Sequence, residues 1–170
     1  MYIRKMQERD LSDVCKLAIQ LGYQVTLTDV ATRFKEIQSL DGYALFVAQV
    51  DTNKVIGYVQ INYETKTLLA GSKADIAALV VDEGHRGQRV GSKLVAAAEE
   101  WAKQQNVEMI RVRSNVKRTD AHRFYLREGY ELSKISNIFV KSVNLSITEE
   151  KIDMPTKKRA ASIKTLERST

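Results

Sequence analysis

Hydrophobic and polar positions change period several times along this chain, and each change marks an element. Tyr2 to Met6 alternates as a short strand. Asp10 then offers an N-cap to a run in which Leu11, Val14, Cys15, Ala18 and Leu21 recur at helical spacing, stopped by Gly22. Cys15 lies on that apolar stripe and reads as core. Val30, Phe34, Ile37 and Leu40 mark the buried face of a second helix, from about Asp29 to Leu40. From Tyr43 to Val50 and from Val55 to Tyr63 the pattern turns β-branched and aromatic. The turn residues Asp51-Thr52-Asn53-Lys54 between them make this a hairpin.

A third strand of this group, Lys73 to Val81, ends in the unbroken apolar run Ile76-Ala77-Ala78-Leu79-Val80-Val81. Such a run predicts a strand buried on both faces at the centre of a sheet. A loop at Asp82 to His85 leads to a long helix, Arg89 to Gln105, with Val90, Leu94, Val95, Ala98, Trp101 and Ala102 along its core face. Val107 to Arg113 follows as a strand, and Asp120 to Glu128 as a short helix closed by Gly129. Tyr130 to Lys134 and Asn137 to Leu145 are expected to form a final hairpin. The predicted order is β-α-α-β-β-β-α-β-α-β-β, one domain over 1–147 with a polar, basic tail over 148–170.

Composition narrows the function classes. In 170 residues, 44% hydrophobic and 28% charged, Gly and Pro total only nine, which excludes collagen-like and low-complexity classes. No run of 18 apolar residues occurs, so neither a transmembrane helix nor a membrane partner is expected, and the first residues lack the apolar stretch of a secretory signal. A single cysteine excludes an intramolecular disulfide and fits a cytoplasmic location; with only two histidines beside it, no metal site is expected. The net charge of +6 is concentrated at the end. Met154 to Thr170 carries five basic residues against one acid, leaving +2 for residues 1–153, and so small an excess gives no reason to expect nucleic acid as a partner.

The segment with candidate chemistry is Leu79-Val80-Val81-Asp82-Glu83-Gly84-His85-Arg86-Gly87-Gln88-Arg89-Val90-Gly91-Ser92. It joins a buried strand to a helix N-terminus, where unpaired amides and the helix dipole favour anions. Gly87 and Gly91 allow close backbone approach, and Arg86 and Arg89 add charge. The combination describes a pyrophosphate cradle; taken alone, it also suits a plain strand-to-helix turn with solvated arginines. Neither a Walker loop nor a G-x-G-x-x-G fingerprint is present.

Arg86-Gly87-Gln88-Arg89-Val90-Gly91 resembles the acetyl-CoA motif of the GNAT superfamily of N-acetyltransferases, a strand, then Arg/Gln-x-x-Gly-x-Gly/Ala, then a helix. It matches at Arg86 and Gly91 and departs at the middle glycine, where this chain has Arg89. Ala121-His122-Arg123-Phe124-Tyr125-Leu126-Arg127-Glu128-Gly129-Tyr130 resembles the family's A-x-x-F-Y-x-x-x-G-F/Y signature. Ser114-Asn115 is similar to a polar pair that follows the preceding strand, although the family's asparagine usually stands seven residues before the tyrosine, where this chain has Arg118. The resemblance covers about residues 1–145.

That resemblance implies an α/β (α+β) fold with a mixed, mostly antiparallel central sheet flanked by helices. The sheet is splayed between the strand ending at Val81 and the strand from Val107, often with a bulge in the first of these. It implies that the backbone of Leu79, Val80 and Val81 pairs with the pantetheine of acetyl-CoA. The diphosphate is expected on Arg86, Gly87, Gln88, Arg89, Val90, Gly91 and Ser92, with Asn115 also among the cofactor-binding residues. The implied reaction is direct attack of a primary amine on the acetyl thioester in a ternary complex, with a backbone amide near Val81 facing the oxyanion and Tyr125 as the acid that protonates the departing thiolate. Tyr125 packing on coenzyme A without a proton-transfer role is the other reading. Asp75, Glu64 and Glu83 are candidate bases, although each also reads as a surface carboxylate, and a water chain is the alternative. Gly22 to Thr26 is a candidate acceptor wall, and Tyr43, Tyr58 and Tyr63 offer aromatic surface. A small-molecule amine is the favoured acceptor. The alternatives are a protein or peptide acetyltransferase and a non-catalytic coenzyme A-binding sensor or interaction module. A homodimer is also implied.

Overall fold

A computed structural model describes residues 1–64 and 71–142. The chain divides into two units, Met1–Leu132 and Ser133–Thr170. The first contains five strands, β1 (Tyr2–Lys5), β2 (Tyr43–Gln49), β3 (Val55–Glu64), β4 (Lys73–Val81) and β5 (Met109–Val112), and four helices, α1 (Leu11–Gln20), α2 (Leu27–Gln38), α3 (Val90–Gln104) and α4 (Thr119–Arg127). In the second unit, the described residues 133–142 carry neither helix nor strand. The expected final hairpin is therefore not formed over residues 130–142, and its end, like the expected tail over 148–170, lies outside the described residues.

The sheet runs β1-β2-β3-β4-β5 in chain order, antiparallel throughout except for the parallel β4–β5 pair. Alternation along the strands supplies two cores, one per face. Ala44 and Ala48 of β2 with Val59 and Ile61 of β3 pack with Val90, Leu94, Val95, Ala98 and Ala102 of α3. Val47 and Tyr58, on the other face of the same strands, pack with Leu11, Val14 and Leu17 of α1 and Phe34 of α2. Each large side chain buried this way contributes about 1.5–3 kcal/mol. Cys15 is buried and free, as its place on the α1 stripe implied.

Two helix starts differ from the sequence expectation. Asp10 does not cap α1 with its side chain. Its buried carboxylate instead accepts two hydrogen bonds from the Arg4 guanidinium, both 2.7 Å, and one from the Gln7 amide at 2.8 Å. Burial alone would raise the Asp10 pKa, but these bonds outweigh it and hold the carboxyl below its ordinary value. Helix α2 starts two residues before Asp29, at Leu27, because Thr26 and Asp29 form a reciprocal cap. The Asp29 amide donates to Thr26 Oγ1 at 3.2 Å, and the Thr26 amide donates to Asp29 Oδ2 at 2.8 Å.

β4 positions the site. On its β3 side the register steps from Gln60↔Ala78 to Ile61↔Ile76, so Ala77 is an extra residue, a bulge. On its other side the parallel ladder to β5 runs only from Lys73↔Met109 to Ile76↔Val112. The pairing with β5 ends at the residue before the bulge, and the two strands part there. The apolar run at the end of β4 is therefore not buried on both faces: Ala77 is exposed, and Ala78, Leu79 and Val81 are half-buried.

Candidate active site

Past the bulge, the edge of β4 facing away from β3 has no strand beside it among the described residues. Beyond Val81 the chain is fastened before it enters α3. Asp82 accepts from the Gly84 amide at 3.1 Å and lies 2.8 Å from His85 Nδ1. Gln20, at the end of α1, donates to Asp82 and accepts from the Glu83 amide. The bond to His85, followed by that from Gln20, holds the Asp82 carboxyl below its ordinary value. The loop is thus tied to α1 before it turns.

The turn is made by Arg89, at φ 59° and ψ 18°, immediately before the first residue of α3. This is the left-handed region that favours glycine, which explains why the family motif carries glycine at this position. Arg89 makes no side-chain cap. Lys93 is the first amide to close onto the helix, donating to the Arg89 carbonyl at 3.2 Å. The amides of Arg89, Val90, Gly91 and Ser92 form the open N-terminal turn. Gly91 packs under α4: a Cβ there would lie 3.1 Å from two ring carbons of Phe124. The two motifs of the sequence therefore meet in space at Gly91 and Phe124.

These elements border a cleft of about 1020 Å³. Of the residues singled out from the sequence, Leu79, Val80, Val81, Arg86, Gly87, Arg89, Val90, Gly91, Ser92, Asn115 and Tyr125 all line it, and Gln88 does not. Gln88 turns back, its side-chain amide donating to the Gly84 carbonyl at 3.4 Å. Some lining groups already have partners. The Val81 carbonyl accepts from Arg86 Nε at 3.3 Å, and Ser92 Oγ donates to Glu128 at 2.8 Å. The Asn115 side chain accepts from the Lys117 amide at 2.9 Å, which makes it a turn former.

Tyr125 stands edge-on to Phe124 and Tyr130, with ring centroids 5.2 and 5.6 Å away. Its hydroxyl makes no hydrogen bond among the described residues. Burial raises its pKa, and the Arg118 guanidinium pulls it back only in part. The phenol therefore stays protonated, able to donate, through the neutral range.

None of the three candidate bases lines the cleft. Asp75 is buried and engaged in a two-pronged pair with Arg111, with Nε–Oδ1 and Nη2–Oδ2 both at 2.7 Å. Glu64 joins the same guanidinium at 2.8 Å, and Glu83 pairs with Arg86 at 3.5 Å. The sequence reading missed a second set of cleft residues: Arg113, Lys117, Arg118 and Arg127. For Arg113, Lys117 and Arg118 the signal was the basic run after β5, which a net charge summed over the domain conceals; Arg127 ends α4, inside the Ala121 to Tyr130 segment.

A parted sheet, an open helix N-terminus and the half-buried Tyr125 phenol thus border one cleft. A family model for the acetyltransferase (GNAT) family matches residues 11–130. The chain belongs to this family. Over 80 residues it is 44% identical to the aminoalkylphosphonate N-acetyltransferase of Salmonella typhimurium, which is 47% of this chain and 52% of that protein. The match thus spans about half the length of this curated relative. Among solved structures, a transcriptional regulator from Bacillus halodurans superposes with a TM-score of 0.71 at 26% identity, covering 82% of this chain and 99% of that one. The glucosamine-6-phosphate N-acetyltransferase of Arabidopsis thaliana superposes with a TM-score of 0.69 at 26% identity, covering 84% and 98%.

Proposed function

We propose that this protein transfers the acetyl group of acetyl-CoA to the primary amine of a small molecule carrying an acidic group, with a short aminoalkylphosphonate as the favoured class. The observation that carries the reading is the convergence of the free edge of β4, the open N-terminus of α3 and the Tyr125 hydroxyl on one cleft. The names of the relatives supply the acceptor class, since an aminoalkylphosphonate and a glucosamine phosphate both pair an amine with an anion.

The donor set suits acetyl-CoA. Four unclosed amides, Arg89 to Ser92, with the Arg86 and Arg89 side chains beside them, match a diphosphate. The edge of β4 at Leu79 to Val81, which has no strand beside it among the described residues, matches an arm bearing amides. Arg113, Lys117 and Arg127 add positive charge for further phosphate or for an acidic acceptor. Bound acetyl-CoA supplies an activated thioester. The chain's own work is then to orient it, to keep the free amine beside it, and to donate a proton from Tyr125 at the departing sulfur. A positioned acid of this kind contributes roughly 10²–10⁴-fold. Direct attack on a thioester needs no metal, and none is proposed.

The acting form we propose is a cytoplasmic homodimer with neither nucleic acid nor membrane as partner. Among the described residues no helix is long and apolar enough to cross a membrane. The deciding experiment is calorimetric titration with acetyl-CoA followed by thiol release over a panel of amines. Binding with turnover on amines that carry an acid supports the reading; absence of binding by folded protein overturns it.

A further inference from the structure

Acetyl transfer needs a primary amine beside a thioester, and the chain carries such an amine in the cleft itself. Lys117 is the one lysine among the described residues that border it. Its side chain is exposed and makes neither an ion pair nor a hydrogen bond among the described residues. Arg113, Arg118 and Arg127 border the same cleft, but a guanidinium keeps its proton in proteins, so none of them is a nucleophile. Lys35 on α2 and Lys93 on α3 are exposed and unpaired in the same way, yet neither borders the cleft.

The loop that carries Lys117 is held in place while its side chain is free. Asn115 Oδ1 accepts from the Lys117 amide at 2.9 Å, and the Asn115 carbonyl accepts from the Arg118 amide at 2.9 Å. His122 of α4 lies 3.0 Å from that same carbonyl through Nε2. From the other side, Arg118 Nη2 donates to the carbonyl of Leu21, just past α1, at 3.4 Å. Burial raises the Tyr125 pKa, and the Arg118 guanidinium is close enough to oppose that rise. Lys117 is therefore the immediate neighbour of a residue that acts on the phenol. Its four-carbon stem is flexible and its amine is a mobile point group.

We propose that Lys117 is a self-acetylation site, modified by the protein's own bound acetyl-CoA when no acceptor is present. The free amine of Lys117 attacks the acetyl carbon, a nitrogen–carbon bond forms, and the carbon–sulfur bond breaks. The departing thiolate takes the Tyr125 proton. The surplus proton on nitrogen passes to water, and water reprotonates Tyr125. The products are N-acetylated Lys117 and coenzyme A. Acetylation removes one positive charge from the cleft and weakens its hold on an anionic cofactor, so the modification limits the protein when acetyl-CoA is plentiful and acceptor is scarce. The inference rests on the acetyl-transfer reading and adds a second fate for the same acetyl group.

The test incubates the full chain with acetyl-CoA alone and follows each lysine by peptide mass spectrometry. Acetyl phosphate, which lacks the coenzyme A moiety, gives the intrinsic reactivity of each lysine under the same conditions. Relative to that baseline, Lys117 is expected to outpace Lys35 and Lys93 by about tenfold or more with acetyl-CoA, because a bound thioester acts at high effective concentration. Its rate should level off as acetyl-CoA saturates the cleft, whereas chemical acetylation of surface lysines rises in proportion to the reagent. Tyr125→Phe should slow modification of Lys117 and not of Lys35. Lys117→Arg should lose the adduct with no other lysine taking its place. The acetylated protein should bind acetyl-CoA a few-fold more weakly than the parent at low salt, the gap narrowing at high salt. Acetylation of Lys117 no faster than of Lys35 and Lys93, or without saturation, overturns the inference. Calorimetry with acetyl-CoA on the same sample separates the two readings. Binding without preferential acetylation of Lys117 strikes the inference alone, and absence of binding strikes the transferase reading beneath it as well.

Discussion

The two halves of β4 reverse what their sequences suggest: the half that carries Lys73 and Asp75 is the closed one, and the wholly apolar half is open. Ala74, Asp75 and Ile76 lie at 0%, 3% and 4% exposure, laddered to β3 on one side and β5 on the other. Ala77 to Val81, no less apolar, keeps only the β3 ladder and borders the cleft. What separates them is the extra residue at Ala77 and the last β5 pair at Ile76. An unpaired strand edge is a liability in most sheets because it invites any extended chain to pair. Here the same edge lies beside an open helix N-terminus and the half-buried Tyr125 phenol, which under the proposed reading makes it selective for one cofactor. The site is made by ending a ladder early, and the closed half must hold firmly enough that the ladder ends only there.

The sharpest way to break the comparison is to unfasten the closed half. Asp75 joins β4 to β5 through Arg111, with Arg113 at 3.5 Å as a further contact. Asp75→Ala leaves the Arg111 guanidinium facing only Glu64, and loss of one partner of a buried pair costs about 3–5 kcal/mol. Because Arg111 is partly exposed, the lower end of that range is expected, read as a fall in the denaturant midpoint. A loss below about 1 kcal/mol would show that the ladder holds the closed half without the ion pair.

The open half is tested by Tyr125→Phe, expected to lower kcat about 100-fold, equivalent to about 2.7 kcal/mol of barrier, with the denaturation midpoint unmoved. The same residue predicts a pH limb. An acid acts while protonated, so its contribution is present below its pKa and lost above it. Since burial raises the Tyr125 pKa, the fall in kcat should come above the ordinary phenol value of about 10 and vanish in the Phe variant. A limb that survives in Tyr125→Phe belongs to another group.

The sequence carried the order of elements through α4, and the two motifs at Arg86 to Gly91 and Ala121 to Tyr130 located the cleft. What it concealed depended on distant partners. Asp10 has the residue type of an N-cap, yet Arg4, six residues away, takes its carboxylate. The apolar run of β4 reads as doubly buried because hydrophobicity does not record whether the facing group is a strand or a ligand cleft. A bulge has no residue signature when the extra residue is an alanine among alanines. Thr26-x-x-Asp29 has the spacing of a reciprocal cap, which places the helix start ahead of the apolar stripe that begins at Val30. Asp75 showed its charge in the sequence but not the guanidinium that occupies it.

The smallest effect isolates one side chain at the mouth of the open half. Arg89 holds a left-handed conformation that costs a non-glycine residue about 1–2 kcal/mol. Arg89→Gly removes that strain but also loosens the unfolded chain, an opposing term of about 0.4–1 kcal/mol, so a net gain between zero and about 1.6 kcal/mol in stability is expected. If the arginine is kept for its charge, the same substitution should weaken acetyl-CoA binding a few-fold at low salt. The difference should shrink at high salt, where a charge on this exposed residue is screened. Denaturation and calorimetry on one pair of proteins separate the two contributions. A gain in stability with weaker, salt-sensitive binding means that the chain tolerates a strained turn in exchange for a cation on the cofactor. A gain in stability with unchanged binding means that the Arg89 side chain does not face the phosphates, and that the amides of the α3 N-terminus with Arg86 hold them alone.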